Sequence, residues 1–249
     1  MSDYDLGRLT SEDKIQAKII VGDDIFDTTG STFVSDEIAT VDRILGPLTA
    51  AEVPVLRCVG LNYAKHIQQA KRTPPPNPFI FFKPTTTIIG HHDNVVIPKI
   101  AQDDQADYEG ELDKANVTAM EVLVIGKDAK DVSREEALEY VAAYTVGNDI
   151  SSRKLQRNPE LAGRIPQWGF SKGFDTYAPM GPCLVAKRLV DNPRNLHLRT
   201  IIDGEVRQDE SISDMLFDSE AIISYLSQGT TLQKGSVIMT GTPGGEERL

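Results

Sequence analysis

Asp107-Tyr108-Glu109-Gly110-Glu111-Leu112 carries two carboxylates at positions i and i+2. In an extended strand alternate side chains share a face, so Glu109 and Glu111 would project together as a two-pronged clamp. A third carboxylate, Asp149, ends a separate apolar run, Tyr144-Thr145-Val146-Gly147-Asn148-Asp149-Ile150. It would complete a set of three oxygen ligands on one side of a cation. Hard divalent ions such as Mg²⁺ favour such ligands and keep waters that a substrate can displace. Alone, Glu-x-Glu in an acidic chain is more often a solvated strand face. Its combination with Asp149 is what points to metal-assisted chemistry.

The elements that must position these residues are short. Val55-Leu56-Arg57-Cys58-Val59-Gly60 predicts a buried strand stopped by glycine, and Asn62 to Ala70 a short helix. Thr73-Pro74-Pro75-Pro76-Asn77-Pro78 fixes an extended connection. Phe79–Phe82 and Asn94–Pro98 are the next strand candidates. Ser133-Arg134-Glu135-Glu136 has the form of a capping box and predicts a helix through about Ala143, directly before the run that ends in Asp149. Further strands are expected at Cys183–Ala186, at Leu196–Asp203 turned by Asp203-Gly204 into Glu205–Gln208, and at Ser236–Thr240, with a helix at Ser219–Ser227. Many short strands and few helices predict an α+β, β-rich fold and argue against a doubly wound sheet.

Composition narrows the function classes. The chain has 249 residues and 40% hydrophobic content, enough for one sizeable core. Residues 1–52 form a polar leader, loosely structured in expectation, with one apolar alternation at Ala17–Val21; residues 53–245 form the main domain and 246–249 a tail. Thirty-seven acidic residues against 26 basic ones give a formal charge of −11, which opposes binding to nucleic acid or an anionic membrane. A small molecule and a cation are the expected partners. No apolar run approaches a membrane span and the first residues lack a signal-peptide layout, so a cytoplasmic location is expected, with a mitochondrial one left open. Cys58 and Cys183 lie far apart and read as buried, reduced thiols.

Six ordered segments together resemble the fumarylacetoacetate hydrolase family over most of residues 53–245. They are Arg57-Cys58-Val59-Gly60-Leu61-Asn62-Tyr63-Ala64-Lys65-His66, Phe82-Lys83-Pro84, Asp107 to Leu112, Gly147 to Arg153, Ser171-Lys172-Gly173-Phe174-Asp175-Thr176, and Thr240-Gly241-Thr242-Pro243. The resemblance implies a mixed β-roll of the family's C-terminal-domain type, homodimers, and a Mg²⁺- or Mn²⁺-dependent enzyme acting on a small β-dicarbonyl or 2-oxo acid. The leading expectation is a hydrolase that cleaves a C–C bond of an acylpyruvate or fumarylacetoacetate-like compound. The alternatives are an oxaloacetate tautomerase or decarboxylase and, from another class, a catalytically silent binding or structural member. By the same resemblance Glu109, Glu111 and Asp149 hold the metal. His66 activates water as general base, Lys172 offsets enolate charge, and Gln156 faces the substrate; Arg153, Gly241 and Thr242 help to hold it.

The chain departs from the family pattern at three places. Three residues after His66, where the family commonly has a glutamate, stands Gln69, which cannot stabilise an imidazolium as a carboxylate can. An insertion, residues 113–120, separates Glu111 from Val122-Leu123-Val124-Ile125-Gly126-Lys127. Counted back from Gly126, the ligand position of an uninterrupted strand falls on Met120, and Glu121 would point to the opposite face. Finally, Gly244-Gly245-Glu246-Glu247-Arg248-Leu249 stands where the family continues into more strands. The fold is therefore expected to be incomplete at that end, with sheet edges uncovered.

Overall fold

A computed structural model describes residues 15–21, 24–26, 31, 33–41, 45–90, 92–102 and 119–244. Glu109, Glu111 and His91 lie outside the described residues. Eleven strands are described. β1 (Ile15–Val21) and β2 (Phe33–Val41) pair antiparallel within the segment expected to be a loose leader. β9 (His197–Ile202) and β10 (Glu205–Ser211) form a hairpin closed by Asp203-Gly204, both at positive φ (51° and 81°), as a two-residue turn of this twist requires.

The main sheet has seven strands in the order β4-β3-β11-β6-β7-β8-β5. These are β3 (Leu56–Gly60), β4 (Phe79–Lys83), β5 (Ile88–Ile89), β6 (Ala119–Ile125), β7 (Val141–Asn148), β8 (Ala178–Ala186) and β11 (Val237–Met239). β3 runs parallel to β11, which is antiparallel to β6, which is antiparallel to β7. The C-terminal ends of β3, β11 and β7 therefore meet at one edge, together with the start of β6. Gly60, Thr240, Asn148 and Ala119 stand there, and the segments that carry His66, Asp149 and Thr242 leave the sheet at that edge.

The sheet is apolar on both faces, and strand alternation sorts its residues between two cores. Cys58, Phe81, Met120, Val122, Val124, Met180, Val237 and Met239 form the first. Val59, Leu123, Ile125, Tyr144 and Ile238 form the second, under Ile222, Ile223 and Leu226 of the helix Ser219–Ser227. The architecture is α+β and β-rich, as expected. The helices, in chain order, are α1 (Ala64–Gln69), α2 (Arg153–Arg157), α3 (Pro159–Ala162), α4 (Trp168–Ser171) and α5 (Ser219–Ser227). No helix among the described residues is long and apolar enough to cross a membrane.

Three local expectations need correction. The helix expected from Ser133 to Ala143 is a turn and a short 3-10 segment, Ala137–Tyr140. The capping contacts form, with Ser133 Oγ donating to Glu136 Oε2 at 2.9 Å and Glu136 N to Ser133 Oγ at 3.3 Å. From Val141 the chain instead joins the β6 ladder, Val141 opposite Ile125 and Ala143 opposite Val124; burial on both sheet faces outweighs local helix preference. Asn94–Pro98 is not a strand: Val96 N donates to Thr176 Oγ1 at 2.7 Å and the segment meets no ladder. Cys58 is buried, but Cys183 is exposed on β8.

Behind the second core Glu121 is buried, and alternation puts it on the face opposite Met120. Ser219 Oγ donates to its Oε2 at 3.1 Å, and Oε1 has no hydrogen-bond partner among the described residues. Burial above all, with Glu220 adding a little, pushes this carboxyl up to about 7. The folded chain thus keeps a proton that the unfolded chain releases near pH 4.5. Stability must fall as pH rises through that window, since the native state binds more protons there. Glu121→Gln is expected to remove this slope and to be more stable than the parent at pH 8 by about 3 kcal/mol, at roughly 1.4 kcal/mol per pKa unit. Urea denaturation at pH 5 and pH 8 measures it; parallel pH dependence in both proteins would contradict it.

Candidate active site

The edge where the strands converge opens into a cavity of about 260 Å³. Val59, Gly60 and Leu61 come from the end of β3; His66, Ala70 and Arg72 from α1 and its exit; Phe81 from β4 and Met120 from the start of β6. Asp149, Arg153, Gln156 and Arg157 follow β7, Pro166, Trp168 and Lys172 follow α3, and Thr242 follows β11. Six residues singled out in the sequence, His66, Asp149, Arg153, Gln156, Lys172 and Thr242, therefore line one space. Gly241 stands behind Thr242, with φ +114° and a backbone so close to Asn62 that a Cβ would lie 2.8 Å from the Asn62 Cβ.

Asp149 is the centre. Its carboxylate is 2% exposed and is held by two ammonium groups, Lys172 Nζ at 2.5 Å from Oδ2 and Lys83 Nζ at 2.9 Å from Oδ1. Burial alone would raise this carboxyl, but the two lysines outweigh it and keep it below its usual value. One carboxylate cannot balance two buried ammoniums. Burial accordingly pulls Lys172 down to about 8 despite the attraction of Asp149. Lys172 Nζ also donates to Ser151 Oγ at 2.5 Å and stands 5.1 Å from the Trp168 ring centre and 4.9 Å from that of Phe81.

Lys83 was part of a recognisable segment but had no role assigned from the sequence. On β4 it shares a face with Phe81 by alternation, and both are buried. Its ammonium donates to the carbonyls of Ile150 (3.0 Å), Lys172 (2.6 Å) and Tyr177 (2.8 Å). A single side chain thereby ties the segment after β7 to the segment that carries Lys172. Two further positioning residues carried no sequence signal strong enough to isolate them. Asn62 donates to Thr240 O at 2.7 Å and Phe217 O at 3.0 Å. Gln208, on β10, donates to Thr242 Oγ1 at 2.8 Å and Pro243 O at 2.9 Å. Together they fix the Thr240–Pro243 segment.

Gln156 is 1% exposed; its Oε1 accepts from Arg153 Nη1 at 2.9 Å, while its Nε2 has no hydrogen-bond partner among the described residues. A buried amide donor left without an acceptor costs about 1–3 kcal/mol, so it marks a place where a ligand oxygen fits. Around it, among the described residues, the cavity presents Lys172, Arg72, Arg153 and Arg157 against one carboxylate, Asp149. In a chain of net charge −11 this is a local inversion of sign, suited to a small anion.

The described donor set does not by itself fit a divalent cation. Among the described residues no group of three His, Cys, Asp or Glu side chains could hold a metal, and both oxygens of Asp149 face lysines. The β6 register settles the position of Met120: it pairs with Gly147, two residues before Asp149, and its side chain lines the cavity. The strand slot counted back from Gly126 is thus filled by a thioether. Glu109 and Glu111, the other two expected ligands, lie outside the described residues. His66, on α1, is half-buried at the cavity wall, and Gln69, one turn on, is exposed and lies against Gly244.

Fold and site define a β-roll scaffold with a cavity lined by basic residues at the strand ends. Residues 56–249 match the model of the fumarylacetoacetate (FAA) hydrolase C-terminal domain, and the chain belongs to this family. It is 40% identical over 250 residues to a caffeoylpyruvate hydrolase of Neonothopanus nambi, covering 97% of this chain and 73% of that protein. It is 36% identical over 202 residues to a mitochondrial oxaloacetate tautomerase of Rattus norvegicus, covering 81% of this chain and 58% of that one. Among solved structures, 2-hydroxyhepta-2,4-diene-1,7-dioate isomerase from Mycobacterium marinum aligns with a TM-score of 0.67 at 31% identity, over 92% of this chain and 77% of that one. The chain spans about three fifths of the length of several curated relatives it matches.

Proposed function

We propose that this chain is an enzyme that cleaves a C–C bond of a small 2-oxo or β-dicarbonyl acid such as an acylpyruvate, by hydrolysis. The observation that carries the reading is the buried Nε2 of Gln156, without a partner among the described residues, in a cavity also lined by Lys172 and Arg153. Arg153 and Gln156 hold the 2-oxo acid end, and Thr242, whose hydroxyl accepts from Gln208, lines the same space. His66 takes a proton from water, which adds to the acyl carbonyl. The C–C bond then breaks, and the Lys172 ammonium offsets the negative charge that collects on the departing pyruvate enolate. Glu109, Glu111 and Asp149 would hold a Mg²⁺ or Mn²⁺ ion, which would supply Lewis-acid stabilisation of the enolate charge. Assembly as a homodimer and a cytoplasmic location belong to the same proposal.

A second reading, oxaloacetate tautomerase or decarboxylase, is favoured by Gln69. No carboxylate follows His66 at that position to stabilise its protonated form, which burdens water activation more than proton transfer at carbon. Turnover of acetylpyruvate and of oxaloacetate by the purified chain, with Mn²⁺ supplied, tests both. Lys172→Met is expected to lower the turnover of whichever acid is used by about 10²–10³-fold, the effect of removing one preorganised donor to developing negative charge. Turnover of neither acid, or full activity in Lys172→Met, would refute the assignment.

A further inference from the structure

Two cavity residues have no part in the reaction just described. Arg72 follows the left-handed turn that ends α1, where Lys71 has φ 51° and the Arg72 amide donates to Ile67 O at 3.0 Å. Arg157 is the last residue of α2, closed by Asn158 N donating to Lys154 O at 2.9 Å. Both backbones are thus fixed, and both side chains line the cavity from opposite segments. Each is exposed, whereas Asp149, Gln156 and Lys172 are buried. By exposure the arginines belong to the mouth, with Pro166 and Ala70, and the proposed 2-oxo acid site to the buried floor, with Trp168 between.

Neither guanidinium has an ion pair or side-chain hydrogen bond among the described residues. That is notable in a chain with 37 acidic residues for 26 basic ones, where other arginines are paired: Arg134 and Arg194 share Asp218, and Arg199 meets Asp209. Two guanidiniums at one opening, neither with a partner among the described residues, suit a carboxylate, which each can grip through two parallel hydrogen bonds. A cavity of about 260 Å³ lies below the ~300–1,000 Å³ typical of drug-sized ligands, so a short diacid reaches from floor to mouth.

We propose that Arg72 and Arg157 form a subsite for a second carboxylate, so that the cavity selects 2-oxo acids with a carboxylate at the far end over those ending in a neutral group. This rests on the floor of the cavity binding a 2-oxo acid. Calorimetric titration with a matched pair separates the two claims: 2-oxoglutarate and 2-oxopentanoate have the same chain length and differ in the far carboxylate. The parent chain is expected to bind 2-oxoglutarate at least tenfold more tightly. The double variant Arg72→Gln/Arg157→Gln is expected to lose that preference while its affinity for 2-oxopentanoate stays within twofold. The single variants, each at an exposed position, should each lose part of it, and an unchanged melting temperature verifies folding. Equal affinities in the parent, or a preference that survives the double variant, overturns the subsite while oxalate binding still supports the floor. Failure of oxalate and of both acids to bind overturns the 2-oxo acid reading and the subsite with it.

Discussion

Asp149→Asn is expected to lower turnover by about 10²–10³-fold and, separately, to cost about 3–5 kcal/mol of stability, the usual penalty for removing one partner of a buried ion pair. The substitution keeps the shape and removes the charge. Lys83 and Lys172, both buried, would then face each other's positive charge across an amide. An amide can accept from only one of them through its oxygen and presents its own donors to the other. Urea denaturation at pH 7 measures the stability term and a substrate assay the catalytic one. A variant with parental stability would mean that the two lysines do not depend on this carboxylate.

Lys83→Met is expected to be as damaging to the fold although Lys83 does not line the cavity. Loss of its ammonium leaves the carbonyls of Ile150, Lys172 and Tyr177 without this donor. At about 1–3 kcal/mol for each buried group deprived of its partner, the cost is at least 3–5 kcal/mol if the segments do not rearrange. Lys172→Met makes the contrast. It leaves a balanced Lys83–Asp149 pair in place of two cations on one carboxylate, so it should lose far less stability while losing activity. The two methionine variants, compared by denaturation midpoint, separate the lysine that builds the site from the one that acts in it. Equal midpoints would contradict this division.

How far the sequence could be read depended on the kind of signal. Strands bounded by glycine or an Asp-Gly turn, such as Leu56–Gly60 and the β9–β10 hairpin, were legible because local chemistry and final structure agree. The helix expected after Ser133 was not, because the capping box is a local signal and Val141–Tyr144 answers to a ladder formed across the sheet with β6. The side-chain alternation counted back from Gly126 was legible too: Met120 lines the cavity and Glu121 lies on the other face, since strand period two leaves no freedom once the register is set. Residues that would line one cavity were found through ordered motifs. Partners that act at long range in sequence were not. Nothing local marks Gln208 as the group that orients Thr242, or Lys83 as a tie among three carbonyls, because each role exists only after the chain has closed. Arg72 and Arg157 were invisible for the same reason; that both line one cavity appears only in three dimensions. The metal trio divides in the same way, with Asp149 described at the cavity centre and Glu109 and Glu111 outside the described residues.

The most direct test of a 2-oxo acid site at the cavity floor is calorimetric titration of oxalate, which presents the paired oxygens of a pyruvate enolate, into the purified chain with Mn²⁺ present. The parent chain should bind one oxalate per chain with saturable heat, and Lys172→Met should weaken that binding by about tenfold or more, the worth of a hydrogen bond to a charged group. No saturable binding in the parent, or equal affinity in Lys172→Met, would contradict the assignment of this cavity.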